Sequence, residues 1–285
     1  MNIPFFSILI ANYNNGRYIL DAIRSIQAQT YTNWEIVIVD DGSTDDSVLL
    51  YKSMCTDERI HIYYNEINKG CGYTKNRCIA EAKGLWCVFL DPDDMLRADA
   101  LEIVAQHISQ YPQYGVFFSH MYVCDEKMNV LYDDTFQPQS KEWEIFIHYQ
   151  RGIPLYCFNK GVYLSTRGIH LALPQSVDID LYYLMSEVTE TYYINLPLYY
   201  YRNNPISLTK NPARATATHL WVMLDSLRRK NASEQTIWRE IEGFWQWRTE
   251  SLYEEITHLQ QDKFYRIGQK IRKIKQAIKY FLKCK

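Results

Sequence analysis

The chain has 285 residues, 47% hydrophobic and 22% charged, the balance of a globular protein with room for a substantial core. A formal net charge of -2 and a pI near 6.4 argue against a general nucleic-acid binder, because counterion-release binding needs a broad cationic surface. Seven cysteines, at 55, 71, 78, 87, 124, 157 and 284, form no CxxC pair, which suits reduced cytosolic thiols better than disulfides or a zinc site.

Phe5 to Ala11 is an apolar run closed by Asn12-Tyr13-Asn14-Asn15-Gly16 and reads as a buried strand and turn. No cationic leader precedes it, and no stretch nears the roughly 18 apolar residues of a membrane span. The expected location is cytoplasmic. Ile19, Leu20, Ile23 and Ile26 predict a helix over 17–29, Trp34 to Val39 a second strand ending at Asp40-Asp41, and a further helix starts near Asp45. Ile60 to Tyr64 is a third strand, Gly72 to Ala82 a helix, and Trp86 to Leu90 a fourth strand that stops at Asp91-Pro92-Asp93-Asp94, with a helix near Ala98. Alternation of this kind implies a mainly parallel, Rossmann-like sheet with helices on both faces, whose ligands bind beyond the carboxyl ends of the strands.

From 111 to 202 the pattern is mixed: aromatic strands at 114–122, 155–159 and 192–201, with helical segments near Trp143 and Leu181. Beyond Pro212 the segments 213–230, 234–260 and 264–282 read as helices. The expected division is therefore 1–210 as one domain, with 1–95 and 96–210 as its halves, and 211–285 as a helical extension. From Arg266 onward Arg266, Lys270, Arg272, Lys273, Lys275, Lys279, Lys283 and Lys285 occur without an acidic residue, interleaved with Ile267, Ile271, Ile274 and Ile278. This basic amphipathic pattern over 264–285 suits peripheral contact with an anionic membrane face, and equally a helix packed on protein with its cationic face in water.

The acidic turns carry the chemistry. Hard cations such as Mg²⁺ or Mn²⁺ take oxygen ligands, often one or two carboxylates plus phosphate and water, and Asp91, Asp93 and Asp94 offer three carboxylates within four residues. The bland reading is a strand end and helix cap. A nicotinamide site is disfavoured, since the first turn, Ala11 to Tyr18, lacks GxGxxG.

Taken together, Ser7 to Asn14 (SILIANYN), Gln29-Thr30, Val39 to Asp45 (VDDGSTD), Asn68-Lys69-Gly70, Lys75-Asn76 and Leu90 to Asp94 (LDPDD) resemble, in order and spacing, the donor half of glycosyltransferase family 2. The resemblance implies a GT-A fold and an inverting, metal-assisted enzyme using Mn²⁺ or Mg²⁺. It would move a hexose or N-acetylhexosamine from a UDP-sugar to a glycan or lipid-linked glycan. Carried over by position, Asp41 resembles the nucleobase-binding aspartate, with Ala11, Tyr13 and Asn68 in the same pocket. Asp91 resembles the residue near ribose and metal, Asp93 the main metal carboxylate, and Asp94 a metal ligand or a support for its neighbours. Lys75 stands where the family usually has arginine, keeping charge but losing the planar fork.

The general base in the family is the aspartate of a Glu-Asp pair ahead of a helix, which Asp178 resembles. Here Val177 replaces the glutamate, and Asp180 is an alternative base or a helix N-terminal residue. Asn195 to Arg202 (NLPLYYYR) resembles the strand that follows, and Asn204 stands where a histidine is common. These departures keep a second reading open, a nucleotide-sugar binding module without catalysis.

Overall fold

In a computed structural model the chain is described over residues 3–54, 57–134, 155–204 and 212–261. The helices expected near Trp143 and over 264–282, and with the latter the basic 264–285 segment, lie outside the described residues. In chain order the elements are β1 (Phe6–Asn12), α1 (Ile19–Gln27), β2 (Trp34–Asp40), α2 (Ser47–Met54), β3 (Ile60–Tyr64), α3 (Cys71–Glu81), β4 (Trp86–Phe89), β5 (Met95–Leu96) and α4 (Ala100–Gln110). There follow β6 (Val116–Cys124), β7 (Val130–Asp134), β8 (Tyr156–Asn159), α5 (Lys160–Tyr163), α6 (Val177–Ser186), β9 (Thr191–Arg202), α7 (Pro212–Arg229) and α8 (Glu234–Gln261).

The strands form one sheet in the order β3-β2-β1-β4-β8-β6-β9-β5, with β7 added to β6. Its first four strands are parallel. Beyond them β8 runs antiparallel between β4 and β6, and β6 and β9 pair in parallel. The architecture is therefore the expected GT-A arrangement of an α/β sheet, parallel through the donor half and mixed beyond it. β1 and β2 are interior strands of the parallel part, and all seven residues of β2 and six of the seven of β1 are buried, as expected of strands covered on both faces. Ile19, Ile23 and Ile26 of α1 and Leu101, Val104 and Ile108 of α4 close one face, meeting Phe6, Ile8, Val88 and Phe117 in a continuous core.

A charged residue is buried low in this sheet. Glu35 of β2 is 3% exposed; its Oε1 accepts from Ser7 Oγ (2.6 Å), Lys83 N (2.5 Å) and Gly84 N (3.2 Å), and its Oε2 lies 3.4 Å from His61 Nε2. Burying a carboxylate is tolerable only with such donors around it. The α3–β4 connection is thereby pinned to the bottom of the sheet.

The chain divides into two compact units, Met1–Ala232 and Ser233–Lys285. α7 belongs to the first unit. It is held to the end of α6 by Ser226 Oγ and Arg229, which donate to Glu187 at 2.7–3.0 Å, and Val222, Met223 and Leu227 are buried. No described helix is long and apolar enough to cross a membrane.

A methyl group added at Gly84 would lie 2.6–2.8 Å from Ser7 Oγ, Ser7 N and Phe6 C, in the strand backbone itself. Gly84→Ala is expected to cost about 1–3 kcal/mol, the usual range for overpacking. Urea unfolding with an unchanged m-value and a lower midpoint checks it; an unchanged midpoint refutes the close approach.

Candidate active site

The carboxyl ends of β1, β2 and β4 share one edge of the sheet, with Ala11 opposite Val39 and Asn12 opposite Asp40. Asp40 organises the turn after β2: its Oδ1 accepts from Ser43 N (2.8 Å) and its Oδ2 from Tyr51 Oη (2.8 Å) and Asn12 Nδ2 (3.1 Å). Asp41, 3% exposed, gathers the next loop. Its Oδ1 accepts from Asn65 Nδ2 (2.7 Å) and Lys69 N (2.8 Å), and its Oδ2 from Gly70 N (2.9 Å). Gly42 (φ 73°) occupies the left-handed region, and a side chain there would meet Asn68 N at 3.0 Å. Asn68 is exposed on this loop and Tyr13 is 45% exposed at the end of β1, so both line the same open edge.

The acidic turn connects β4 to β5, and β5 pairs with Tyr199 and Tyr200 of β9. Its three aspartates have three different surroundings. The Asp91 side chain is 53% exposed and meets Lys75 Nζ at 3.2 Å. Asp93 is partly buried, and Asn204 Nδ2 donates to its Oδ2 at 3.0 Å; among the described residues no other side chain donates to it. Burial and the neighbouring Asp91 raise the Asp93 carboxyl above its ordinary range. Asp94 is 2% exposed and committed on both oxygens: Oδ1 accepts from Arg202 N (2.8 Å) and Oδ2 from Tyr199 Oη (2.7 Å). It braces β9 against the turn, the supporting role that the resemblance also allowed.

Arg202 extends the brace. Its Nε donates to the Asp93 carbonyl (2.7 Å), Nη1 to the Glu126 carbonyl (2.5 Å) and Nη2 to Asp21 Oδ2 (2.8 Å), with the guanidinium 4.5 Å from the Tyr18 ring centroid. A planar fork with separate donors suits four surroundings at once, which lysine does not.

Across the cleft, α6 starts at Ser176 in the left-handed conformation (φ 55°, ψ 29°) and presents Asp178 in its first turn. Asp178 faces the donor half: burial raises its carboxyl, Lys75 draws it back down, and Asp91 adds to the rise. Lys75 stays firmly protonated, since Asp91, Cys71 and Asp178 outweigh the opposing effect of its burial. Cys71, at the start of α3, lies within electrostatic reach of the whole set. Burial pushes its thiol up to about 11, Lys75 pulls it down, and Asp91, Asp178 and Asp41 raise it. Asp41, Lys75, Asp91 and Asp178 thus all lie within electrostatic reach of Cys71.

Asp180 does not join them. It is fully buried, with Oδ1 accepting from Arg167 Nη2 (2.5 Å) and Oδ2 from His170 N (2.8 Å). These contacts make Asp180 part of an ion pair, which Arg167 extends to Asp225 at 3.0 Å.

Two residues escaped the sequence reading. Cys71 carries no signal beyond its place before Lys75. Gly72 carries a weak one, a second glycine after Gly70: its N–H donates to the Leu173 carbonyl (3.1 Å), and a β-carbon there would lie 2.6 Å from the His170 carbonyl oxygen. Only glycine lets α3, with Lys75, approach the segment leading to Asp178 this closely.

Among the described residues no group of three His, Cys, Asp or Glu side chains forms a complete metal cage. Asp91 and Asp93 are nevertheless hard donors facing the crevice, and they fit a divalent cation whose remaining positions come from phosphate and water.

Known proteins resemble this chain along the same stretch. The family description "Glycosyl transferase family 2" matches residues 7–166, more than half of the chain. The chain belongs to glycosyltransferase family 2. Among curated relatives, the putative teichuronic acid biosynthesis glycosyltransferase TuaG of Bacillus subtilis is 39% identical over 102 residues, 35% of this chain and 40% of that protein. Chondroitin synthase of Escherichia coli is 27% identical over 199 residues, 68% of this chain and 28% of that one. The chain thus spans less than half the length of these relatives. Among solved structures, S. aureus TarS in complex with UDP-GlcNAc superposes with a TM-score of 0.65 at 18% identity, covering 85% of this chain and 71% of TarS. A mannosyltransferase from Pyrobaculum calidifontis in complex with GDP-Man and Mn²⁺ gives 0.64 at 14%, covering 98% and 87%. At these identities the structures establish the shared GT-A fold.

Asp94→Ala would leave the buried Tyr199 hydroxyl and Arg202 N–H without an acceptor, each loss costing about 1–3 kcal/mol. Thermal or urea unfolding should register a loss of about 2–6 kcal/mol in total. A change below 1 kcal/mol would refute the bracing role.

Proposed function

We propose that the protein is an inverting, metal-assisted glycosyltransferase that moves a hexose or N-acetylhexosamine from a UDP-sugar to a glycan or lipid-linked glycan. The observation that carries this reading is the pairing of Asp91, at 3.2 Å, with Lys75 of the helix that the Gly72–Leu173 bond ties to the segment leading to Asp178. It joins a group able to accept a proton to the groups suited to a diphosphate. TarS as a UDP-GlcNAc complex, together with relatives named for teichuronic and colanic acid biosynthesis, supports a UDP-sugar donor and a surface polysaccharide acceptor.

The base of the nucleotide fits between Tyr13 and Asp41. Asp41 Oδ2 takes only the Gly70 N–H, so it retains lone-pair capacity for the imide N–H of uracil. Lys75, held by Asp91, supplies positive charge near the diphosphate. Mn²⁺ or Mg²⁺ on Asp93 and Asp91 would stabilise the charge that grows on the departing diphosphate. Asp178 accepts the proton of the acceptor hydroxyl as its oxygen attacks the anomeric carbon from the face opposite the leaving group. A carboxyl raised by burial suits this work, because a base of higher pKa binds the proton more strongly.

Asp178→Asn is expected to lower transfer by at least about 100-fold while UDP binding by calorimetry persists. Unchanged turnover would favour a binding module instead. Asp93→Asn should remove the gain in nucleotide affinity that Mn²⁺ confers; equal metal-dependent gains in mutant and parent would end the assignment.

The pH profile offers a separate check. The base acts when deprotonated, so kcat/KM rises with pH through the Asp178 pKa, which lies above the ordinary carboxylate value. Lys75 lowers that pKa, so Lys75→Met should move the acidic limb to higher pH. A limb that stays in place or moves down contradicts the pairing.

A further inference from the structure

A cleft of about 400 Å³ lies between the 170–174 segment and α7, lined by His170, Leu173, Pro174, Ala217 and Trp221. α7 buries His219, Val222, Met223 and Ser226 against the protein, while Trp221 stands on the opposite line of the helix, 43% exposed. An indole is a large apolar surface, and here it forms a wall, with the His170 ring edge-on at 4.9 Å and 72°.

The facing wall is rigid and tied to the crevice. Leu173 receives the Gly72 N–H at 3.1 Å, and the His170 N–H donates to Asp180 at 2.8 Å. The segment is thereby bolted to α3, which carries Lys75, and to α6, which carries Asp178. Pro174 is four positions before Asp178, so the chain cannot separate them by more than about 14 Å. A preformed wall of this kind is typical of ligand sites.

The chemistry of the lining selects the ligand. Among the described residues no lysine, arginine or carboxylate lines the cleft, so a charged ligand meets no opposite charge there, while the His170 Nδ1, which accepts from Ala172 N at 3.3 Å, leaves Nε2 as a donor for a neutral hydroxyl. A pyranose ring suits it: its C–H face stacks on an indole while its hydroxyls remain in water. Resting on the transferase reading above, we propose that this cleft is a subsite for a sugar of the acceptor chain beyond the one that reacts, stacked on Trp221. The enzyme would then extend an oligosaccharide rather than a lone sugar.

The test uses the full chain with Mn²⁺ and UDP-sugars against an array of mono- and oligosaccharides from bacterial surface polysaccharides. It reads glycan retention, acceptor KM, kcat, and donor hydrolysis without acceptor. Trp221→Ala should raise KM for oligosaccharides five- to tenfold and reduce their retention, leaving kcat and donor hydrolysis at the parent level, and Trp221→Phe should restore most of the affinity. Ala217→Phe fills the cleft from an exposed position and should reproduce the loss even if Trp221→Ala proves unstable. Equal KM in parent and both cleft variants, or a parent that retains no glycan, overturns the subsite; so does a loss confined to a polyprenyl phosphate probe, which would make the occupant a lipid. Glycan retention that depends on Trp221 in a protein without donor turnover would sustain the subsite and sink the transferase reading.

Discussion

The active-site edge depends on the lock between Asp94 and β9. A buried carboxylate that accepts from Arg202 N and Tyr199 Oη ties the acidic turn to a strand more than a hundred positions later. Arg202 then reaches the Asp93 carbonyl, Glu126 and Asp21, so one guanidinium holds the turn, the β6–β7 connection and α1 in register. Of the turn's other two aspartates, Asp91 pairs with Lys75 and Asp93 accepts from Asn204, each through one oxygen.

The same division of labour recurs on the other side. Asp180 is bound by Arg167 and by the backbone of residue 170, which fixes α6, and Asp178, one half-turn earlier, faces the cleft. At each end of the crevice one carboxylate is sacrificed to position another. Gly72 closes the gap between the two sides by admitting backbone where a side chain would stand. Lys75 and Asp178 can then influence each other although they belong to different halves of the sheet.

Much of the donor half was legible in sequence because its strands are buried on both faces. Such strands appear as unbroken apolar runs, Ile8 to Ile10 and Ile36 to Val39, and the polar residues that follow must lie in turns. The later half was harder to read. β5 has only two residues and exists because Tyr199 and Tyr200 pair with it, and β7 is an exposed edge whose Val130, Leu131 and Tyr132 show no alternation. α7 looked like part of an appendage because nothing local distinguishes a helix packed on its own domain from one beyond it; the charged contacts with Glu187 decide that.

By itself the sequence determined the family, the parallel first half and the short list of carboxylates able to do chemistry, because local periodicity and motif spacing are written in neighbouring residues. How each aspartate is held was decided only by tertiary structure. Asp91, Asp93 and Asp94 are chemically equal in the chain, as are Asp178 and Asp180. They become unequal when burial and distant donors, Arg202, Tyr199 and Arg167, consume the oxygens of one member of each group.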